Sequence, residues 1–314
     1  MQYYFAPLEG VTDSIYRRLH HRYFPGMDRY YTPFLSPTIH RQLTPKESRE
    51  LPPADTLGFT VVPQLLTKVP EDFLWMAEQC EDRGYTEVNL NLGCPSGTVT
   101  AKGKGSGMLR DLHALDAFLD AVFQKTPVAI SVKTRIGFEQ TREFPPLLQV
   151  FNQYPIKELI IHPRVRTAFY DGQPDMESFG LAVQQSKLPL CYNGNLGSVS
   201  QIEAFSKAFP TVPAVMLGRG LLADPGMLTP GGTSMEVLEQ FHDALLEEYL
   251  VAFGGGRNAM FRMKEHWRYL ICRFQNGEKL AKALRKTTDI AEFRCITKEI
   301  FHNLPMRESV CMDW

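Results

Sequence analysis

Paired cysteines, long apolar runs and net charge are all scarce in this chain of 314 residues. Its six cysteines, Cys80, Cys94, Cys191, Cys272, Cys295 and Cys311, lie far apart with no C-x-x-C pair. That spacing suits neither a zinc site nor a disulfide framework, so each is expected to be a free thiol and no metal is expected. No apolar stretch approaches the roughly 18 residues that span a bilayer. The N-terminus, Met1-Gln2-Tyr3-Tyr4-Phe5-Ala6-Pro7, lacks a basic segment followed by an apolar one, so a cytoplasmic chain without a membrane partner is expected. A formal net charge of −1 excludes the globally basic surface of many nucleic-acid binders, and any such function must be sought locally. Low-complexity sequence is missing too, and 44% hydrophobic with 22% charged residues is ordinary for a chain that folds throughout.

What is present is a rhythm. Up to about residue 230, short β-branched or aromatic runs alternate with helical patterns, as in repeated β-α units with a parallel sheet. The candidate strands are residues 3–6, 30–34, 60–65, 87–91, 128–133, 158–162, 188–193 and 214–218. Eight such strands close a barrel, so the expected fold class is α/β, a (β/α)8 TIM barrel. Segments 71–83, 112–124 and 198–208, apolar at three- and four-residue spacing, would belong to the outer ring of helices. After the glycine-rich residues 229–233 the pattern is helix only, over 235–253, 259–275, 277–286 and 289–303. Two domains are therefore expected, the barrel over 1–232 and an all-helical C-terminal domain over 233–314.

In a barrel of this kind the chemistry sits at the carboxyl ends of the strands. The fourth strand runs straight into Asn91-Leu92-Gly93-Cys94-Pro95. A cysteine between glycine and proline is set on a rigid turn rather than in an apolar core, and a thiol of pKa near 8.5 can give up a proton at neutral pH. Lys102-Gly103-Lys104-Gly105-Ser106-Gly107 follows and is expected to be a mobile cover over Cys94. The fifth strand places Lys133 and Arg135 on one face. Inside a barrel mouth an ammonium needs an anionic partner, and a reduced flavin offers one.

The sixth strand ends in His162-Pro163-Arg164-Val165-Arg166, where two arginines behind a histidine point to an anion or a nucleic-acid backbone. The last two strands lead into Asn193-Gly194-Asn195 and Gly218-Arg219, at the two places where this fold most often holds a phosphate. Residues 254–300 carry eleven Lys/Arg against five acids, an excess of +6. Within them Lys279, Lys282 and Lys286 recur on one helical face while Leu280 and Leu284 fall on another, so a basic stripe that tracks phosphates is expected.

These blocks, in this order, resemble the tRNA-dihydrouridine synthase family from Ala6 to about Tyr269. Ala6-Pro7-Leu8-Glu9-Gly10-Val11-Thr12-Asp13 is similar to the family's opening A-P-M-x-x-x-T-D, with Leu8 where methionine is usual. Asn91-x-Gly93-Cys94-Pro95 resembles its N-x-G-C-P signature. Val132-Lys133-Thr134-Arg135, the His162 segment, Asn193-Gly194 and Gly218-Arg219 are similar to its later blocks. Val165 stands where threonine follows His-x-Arg, and the Arg-Thr pair recurs as Arg166-Thr167, which leaves Arg164 and Arg166 as two candidates for an RNA contact.

What the resemblance implies is an FMN-dependent oxidoreductase with a helical RNA-binding domain, acting as a monomer. It would use NADPH to reduce uridines of tRNA, or of ribosomal RNA, to dihydrouridine. Pro7 and Leu8 would pack on the isoalloxazine, and Gln64 and Lys133 would contact its polar edge. Asn91 on the substrate side and His162 on the cofactor side would line the reaction site, with Arg135 beside the substrate. Asn193, Gly194, Asn195, Gly218 and Arg219 would hold the FMN phosphate. Cys94 would protonate carbon 5 of uracil as hydride reaches carbon 6. Two other readings fit the same barrel. One is an FMN-barrel reductase of a small molecule, such as a dihydroorotate dehydrogenase, which leaves the basic tail without a purpose. The other is a barrel that binds RNA without catalysis.

Overall fold

The alternation of strand and helix folds as a parallel sheet. The computed structural model describes residues 1–38 and 40–310. Nine short strands are β1 (Gln2–Phe5), β2 (Arg29–Tyr31), β3 (Val61–Val62), β4 (Gln64–Leu65), β5 (Glu87–Leu92), β6 (Ala129–Arg135), β7 (Leu159–His162), β8 (Leu190–Tyr192) and β9 (Ala214–Leu217). They are hydrogen-bonded in the order β3-β2-β1-β9-β8-β7-β6-β5-β4. The two ends of that order are one piece of chain. β3 and β4 flank Pro63, which has no N–H to give to the ladder. Pairing continues on either side of it: Tyr31 pairs with Val62, Gln64 pairs with Asn89, and the Pro63 carbonyl accepts from the Asn89 N–H at 2.8 Å. The sheet therefore closes as an eight-stranded barrel whose third strand is broken at a proline, which is the expected (β/α)8 fold.

All six residues of β5 are buried, as they must be when helices cover one side of a strand and the barrel interior the other. Alternate residues face opposite sides, so Val88, Leu90 and Leu92 suit the helical layer and Asn89 and Asn91 are left for the interior. The covering helices start on local signals. Pro70–Glu81 has its proline in the first turn with Glu71 and Asp72 beside it, Leu112–Phe123 is capped by Asp111, and Met176–Gln185 by Asp175.

The chain divides into two compact units. The first takes Met1–Pro7, Asp28–Asn195 and Ser206–Met216. The second takes Leu8–Met27, Leu196–Phe205 and the chain from Leu217 on, so the helix Ser14–Tyr23 clusters with the helices Met235–Phe253, Gly256–Leu270, Glu278–Lys286 and Ile290–Asn303. Inside the second unit the Asp13 carboxylate caps the first of these helices and also accepts from the Tyr249 hydroxyl at 3.0 Å. Tyr16 stacks on His266 with ring centroids 4.8 Å apart. Gly254, at φ 64°, closes the helix Met235–Phe253 in the left-handed conformation that glycine adopts without strain. No disulfide joins Cys80, Cys94, Cys191, Cys272 or Cys295 to another described residue, and Cys311 lies outside the described residues. Among the described residues no helix is long and apolar enough to cross a membrane.

Candidate active site

The interior side of β4, β5 and β6 carries a chain of amides. Gln64 is 1% exposed; its Oε1 accepts from Asn91 Nδ2 at 2.7 Å, and its Nε2 donates to Asn89 Oδ1 at 2.8 Å. Asn89 Nδ2 then donates to Ser131 Oγ at 3.0 Å. Because these groups are buried, each needs its partner, and together they fix the orientation of Asn91. Asn91 Oδ1 is thereby aimed at the turn that follows the strand, where it accepts from the Gly93 N–H at 3.0 Å and the Cys94 N–H at 2.9 Å. Asn91, expected on the substrate side, is thus engaged at both ends of its amide and organises the thiol turn.

The carbonyls of that turn are held as well. Gly93 O accepts from Arg135 Nε at 3.0 Å, Cys94 O from Ser106 Oγ at 2.7 Å, and Pro95 O from Arg166 Nε at 3.1 Å. Cys94 itself is half-buried. The glycine-rich segment, expected as a mobile cover, is packed against the cysteine over its second half. Residues Gly105–Arg110 form a 3-10 turn whose first five residues are buried. Gly105, at φ 58°, comes so close that an added Cβ would lie 3.1 Å from the Cβ and carbonyl oxygen of Cys94. Its glycines permit close packing, and Ser106 uses that closeness to hold the cysteine.

The basic residues of the mouth separate into two kinds. Arg135 is buried, and besides Gly93 it donates to the carbonyls of Val165 at 2.8 Å and Phe169 at 2.6 Å. Arg164 is buried and donates to the carbonyls of Asp171 at 3.2 Å and Gly172 at 2.5 Å, and to Asn195 Oδ1 at 3.4 Å. Arg166 lies against the rings of Phe138 and Phe169, 5.2 and 5.0 Å from their centroids, and its Nη2 reaches Thr100 Oγ1 at 3.3 Å. Expected as substrate contacts, these three arginines also brace neighbouring loops, each giving some of its five N–H groups to backbone carbonyls. Arg164 Nη1 also lies 2.9 Å from His162 Nε2. A guanidinium only donates, so Nε2 accepts and the imidazole is neutral with its proton on Nδ1.

Lys133 is different. It pairs in register with Asn91 and forms no hydrogen bond or salt bridge with another described residue. Burial pushes its ammonium down to about 8, the Arg135 charge acts in the same direction, and Cys191 and Cys94 oppose it. An ammonium kept in such a place without a carboxylate suits an anionic ligand.

The remaining predicted positions follow strand ends. Pro7, half-buried, leaves β1, and Leu8 donates its N–H to Thr12 Oγ1 at 2.9 Å. Asn193 Nδ2 donates to the Met216 carbonyl at 2.8 Å, and Gly194 sits where a Cβ would meet the Tyr192 hydroxyl at 2.8 Å. Asn195 has φ 43°. Gly218 caps the short helix Arg219–Ala223, and Arg219 is half-buried. Gly220, next along, would place a Cβ 2.5 Å from the Leu196 carbonyl oxygen, so the turn needs glycine there. On the helix Glu278–Lys286, Lys279, Lys282 and Lys286 are exposed and Leu284 is buried, as the spacing implied. Ser106, Asn89 and Ser131 were not singled out from the sequence. The two asparagines of β5 at period two were the available signal for Asn89, whereas Ser106 had none.

Residues 4–304 match the model of the family described as dihydrouridine synthase. The chain is 27% identical over 306 residues to a probable tRNA-dihydrouridine synthase 1 of Synechocystis sp., an alignment covering 91% of this chain and 82% of that protein. It is also 27% identical over 319 residues to the tRNA-dihydrouridine(16) synthase of Shigella flexneri, covering 93% and 96%. Among solved structures, morphinone reductase superposes with a TM-score of 0.51 at 12% identity, over 74% of this chain and 86% of that one. An old yellow enzyme homologue from Zymomonas mobilis does so with 0.50 at 11%, over 71% and 86%. At such identity these two likenesses speak for the fold alone. The family model spans nearly the whole chain and its N-x-G-C-P turn is in place at the end of β5, so this chain belongs to the dihydrouridine synthase family of oxidoreductases.

Proposed function

We propose that this chain reduces uridines of tRNA to 5,6-dihydrouridine, with FMN bound in the barrel mouth and NADPH as reductant. The observation that carries the reading is Lys133, an ammonium without a carboxylate partner among the described residues, in the same barrel mouth as a thiol turn held by Asn91, Arg135, Ser106 and Arg166. FMN, when bound, supplies the hydride for carbon 6 of the uracil. Lys133, with Gln64 across β5 from it, is assigned to the polar edge of the isoalloxazine, where the ammonium offsets negative charge. Pro7 and Leu8 are assigned to its apolar face. The turns Asn193-Gly194-Asn195 and Gly218-Arg219 keep their assignment to its phosphate.

Adding hydride to carbon 6 leaves negative charge spread over carbon 5 and the adjacent carbonyl. Cys94 then gives its Sγ proton to carbon 5, which completes the saturated bond and leaves a thiolate that regains a proton from solvent. His162, neutral, offers a hydrogen bond to a carbonyl oxygen without bringing a charge. Lys279, Lys282 and Lys286 are assigned to phosphates of the RNA.

Cys94→Ala tests the reading. Dihydrouridine in tRNA, measured by mass spectrometry, should form roughly a hundredfold to ten-thousandfold more slowly, while the protein stays yellow and still binds tRNA. Losing a merely packing cysteine would lower stability by about 1 kcal/mol and affect every activity together. A Cys94→Ala enzyme that makes dihydrouridine at the normal rate overturns the proposed role.

A further inference from the structure

The helices Gly256–Leu270 and Glu278–Lys286 border a half-open cavity of about 860 Å³, apart from anything so far assigned. Its size falls within the roughly 300–1,000 Å³ of small-molecule sites. Trp267, Ile271 and Leu284 supply apolar lining, while Arg262, Lys264, Arg268 and Arg285 bring four positive charges against Glu265. Three of these cations are already engaged: Arg262 with the Gly10 carbonyl and Asp13, Lys264 with the carbonyls of Arg285 and Thr287, and Arg268 with Glu265. Arg285 is exposed and its guanidinium has no hydrogen bond or ion pair with another described residue.

Two further groups are unusual. Phe261 lines the cavity yet is 45% exposed, a large apolar ring in a strongly basic segment, with Arg257 and Lys264 at 5.8 and 5.4 Å from its centroid. The Trp267 indole N–H is buried with no acceptor among the described residues. A ligand with a flat apolar face and one negative charge suits both Phe261 and Arg285. An unpaired nucleotide is such a ligand, because every base has a π-face and acceptors on its edge and carries one phosphate.

We propose that this cavity seats one unpaired nucleotide of the RNA, its base stacked on Phe261 and its phosphate against Arg285. The inference rests on the tRNA reading above and deepens it, since a base held here fixes which loop of the RNA lies on the helical segment.

The test is titration of labelled tRNA into the full-length protein at several salt concentrations. Phe261→Ala should weaken binding roughly tenfold to a hundredfold with the salt slope unchanged, and Phe261→Trp, which keeps a stacking face, should hold near wild-type affinity. Arg285→Ala should instead lower the logarithmic salt slope by about 0.7 to 0.9. Wild-type binding by Phe261→Ala, or equal weakness of Phe261→Ala and Phe261→Trp, overturns the nucleotide site. If either occurs while Lys279→Glu with Lys286→Glu still weakens binding, the tRNA reading survives without the cavity. If the wild-type protein binds no tRNA at low salt, both fall. Binding of free uridine monophosphate that is lost in Phe261→Ala, with tRNA affinity unaltered, makes the cavity a small-molecule site and also overturns the inference.

Discussion

Lys133 takes its character from its half-buried place on β6, beside the Arg135 charge. Its pKa lies at about 8, below the ordinary 10.5, so the ammonium is lost as pH rises through about 8. Between those two values the unfolded chain holds a proton that the folded chain has released, so this residue makes the fold more stable as pH rises across that window. Activity that needs the ammonium goes the other way. We expect kcat/KM for uridine reduction to fall on an alkaline limb that lies above about pH 8, because a negative charge on the ligand raises the ammonium's pKa, and Lys133→Arg, which keeps its charge, to move that limb further upward even at a lower maximal rate. An alkaline limb identical in the two proteins would remove Lys133 from the rate. The placing of Lys133 on β6 and of Cys94 on the turn after β5 was legible in the sequence, because strand periodicity and a Gly-Cys-Pro turn are local signals. The work of Arg135 and Arg166 was not, since the carbonyls of Gly93 and Pro95 they hold lie 42 and 71 residues away along the chain.

Among the elements, strands were easier to read than what braces them. Residues 60–65 read as one strand, and so they behave, with Pro63 dividing β3 from β4 where a proline must interrupt a ladder. Gly103, Gly105 and Gly107 read as flexibility because glycine's freedom is visible in sequence, whereas the packing that consumes it is not; Gly107 would place a Cβ 2.9 Å from the Thr100 carbonyl oxygen. Residue 158, taken as the start of a strand, is an acid that immediately precedes β7, in a cluster of groups from several strands. Its Oε1 accepts from the Tyr4 hydroxyl at 3.0 Å, while Glu87 nearby takes Arg29 at 3.0 Å and Lys157 at 2.6 Å. Burial pushes Glu158 up to about 7 from the usual 4.5. A raised acid favours the folded state most when protonated, so its contribution is full below pH 4.5 and fades as pH rises through about 7. Glu158→Gln, neutral throughout, should flatten the fall in melting temperature across that window in calorimetry. A fall of the same size in the variant would show that Glu158 is not its source.

At the scale of the whole molecule, the eight-fold rhythm carried the fold class because each β-α unit announces itself locally. That Leu8–Met27 clusters with the tail helices could not be read, since it depends on contacts such as Asp13 with Tyr249, far apart in sequence. Charge behaves similarly: a net −1 for the chain conceals the +6 of residues 254–300. If that local excess binds RNA, affinity should be set by the counterions that phosphates release and not by overall charge. Lys279 and Lys286 are exposed on the helix Glu278–Lys286, away from the buried Leu284, so reversing their charge should leave the fold intact. Lys279→Glu with Lys286→Glu should therefore weaken tRNA binding at low salt and flatten its salt dependence, each lost contact removing about 0.7 to 0.9 from the logarithmic slope. Weakening without a change of slope would point to a misplaced helix rather than lost phosphate contacts. Binding and slope both at wild-type values would place the RNA surface elsewhere on the chain.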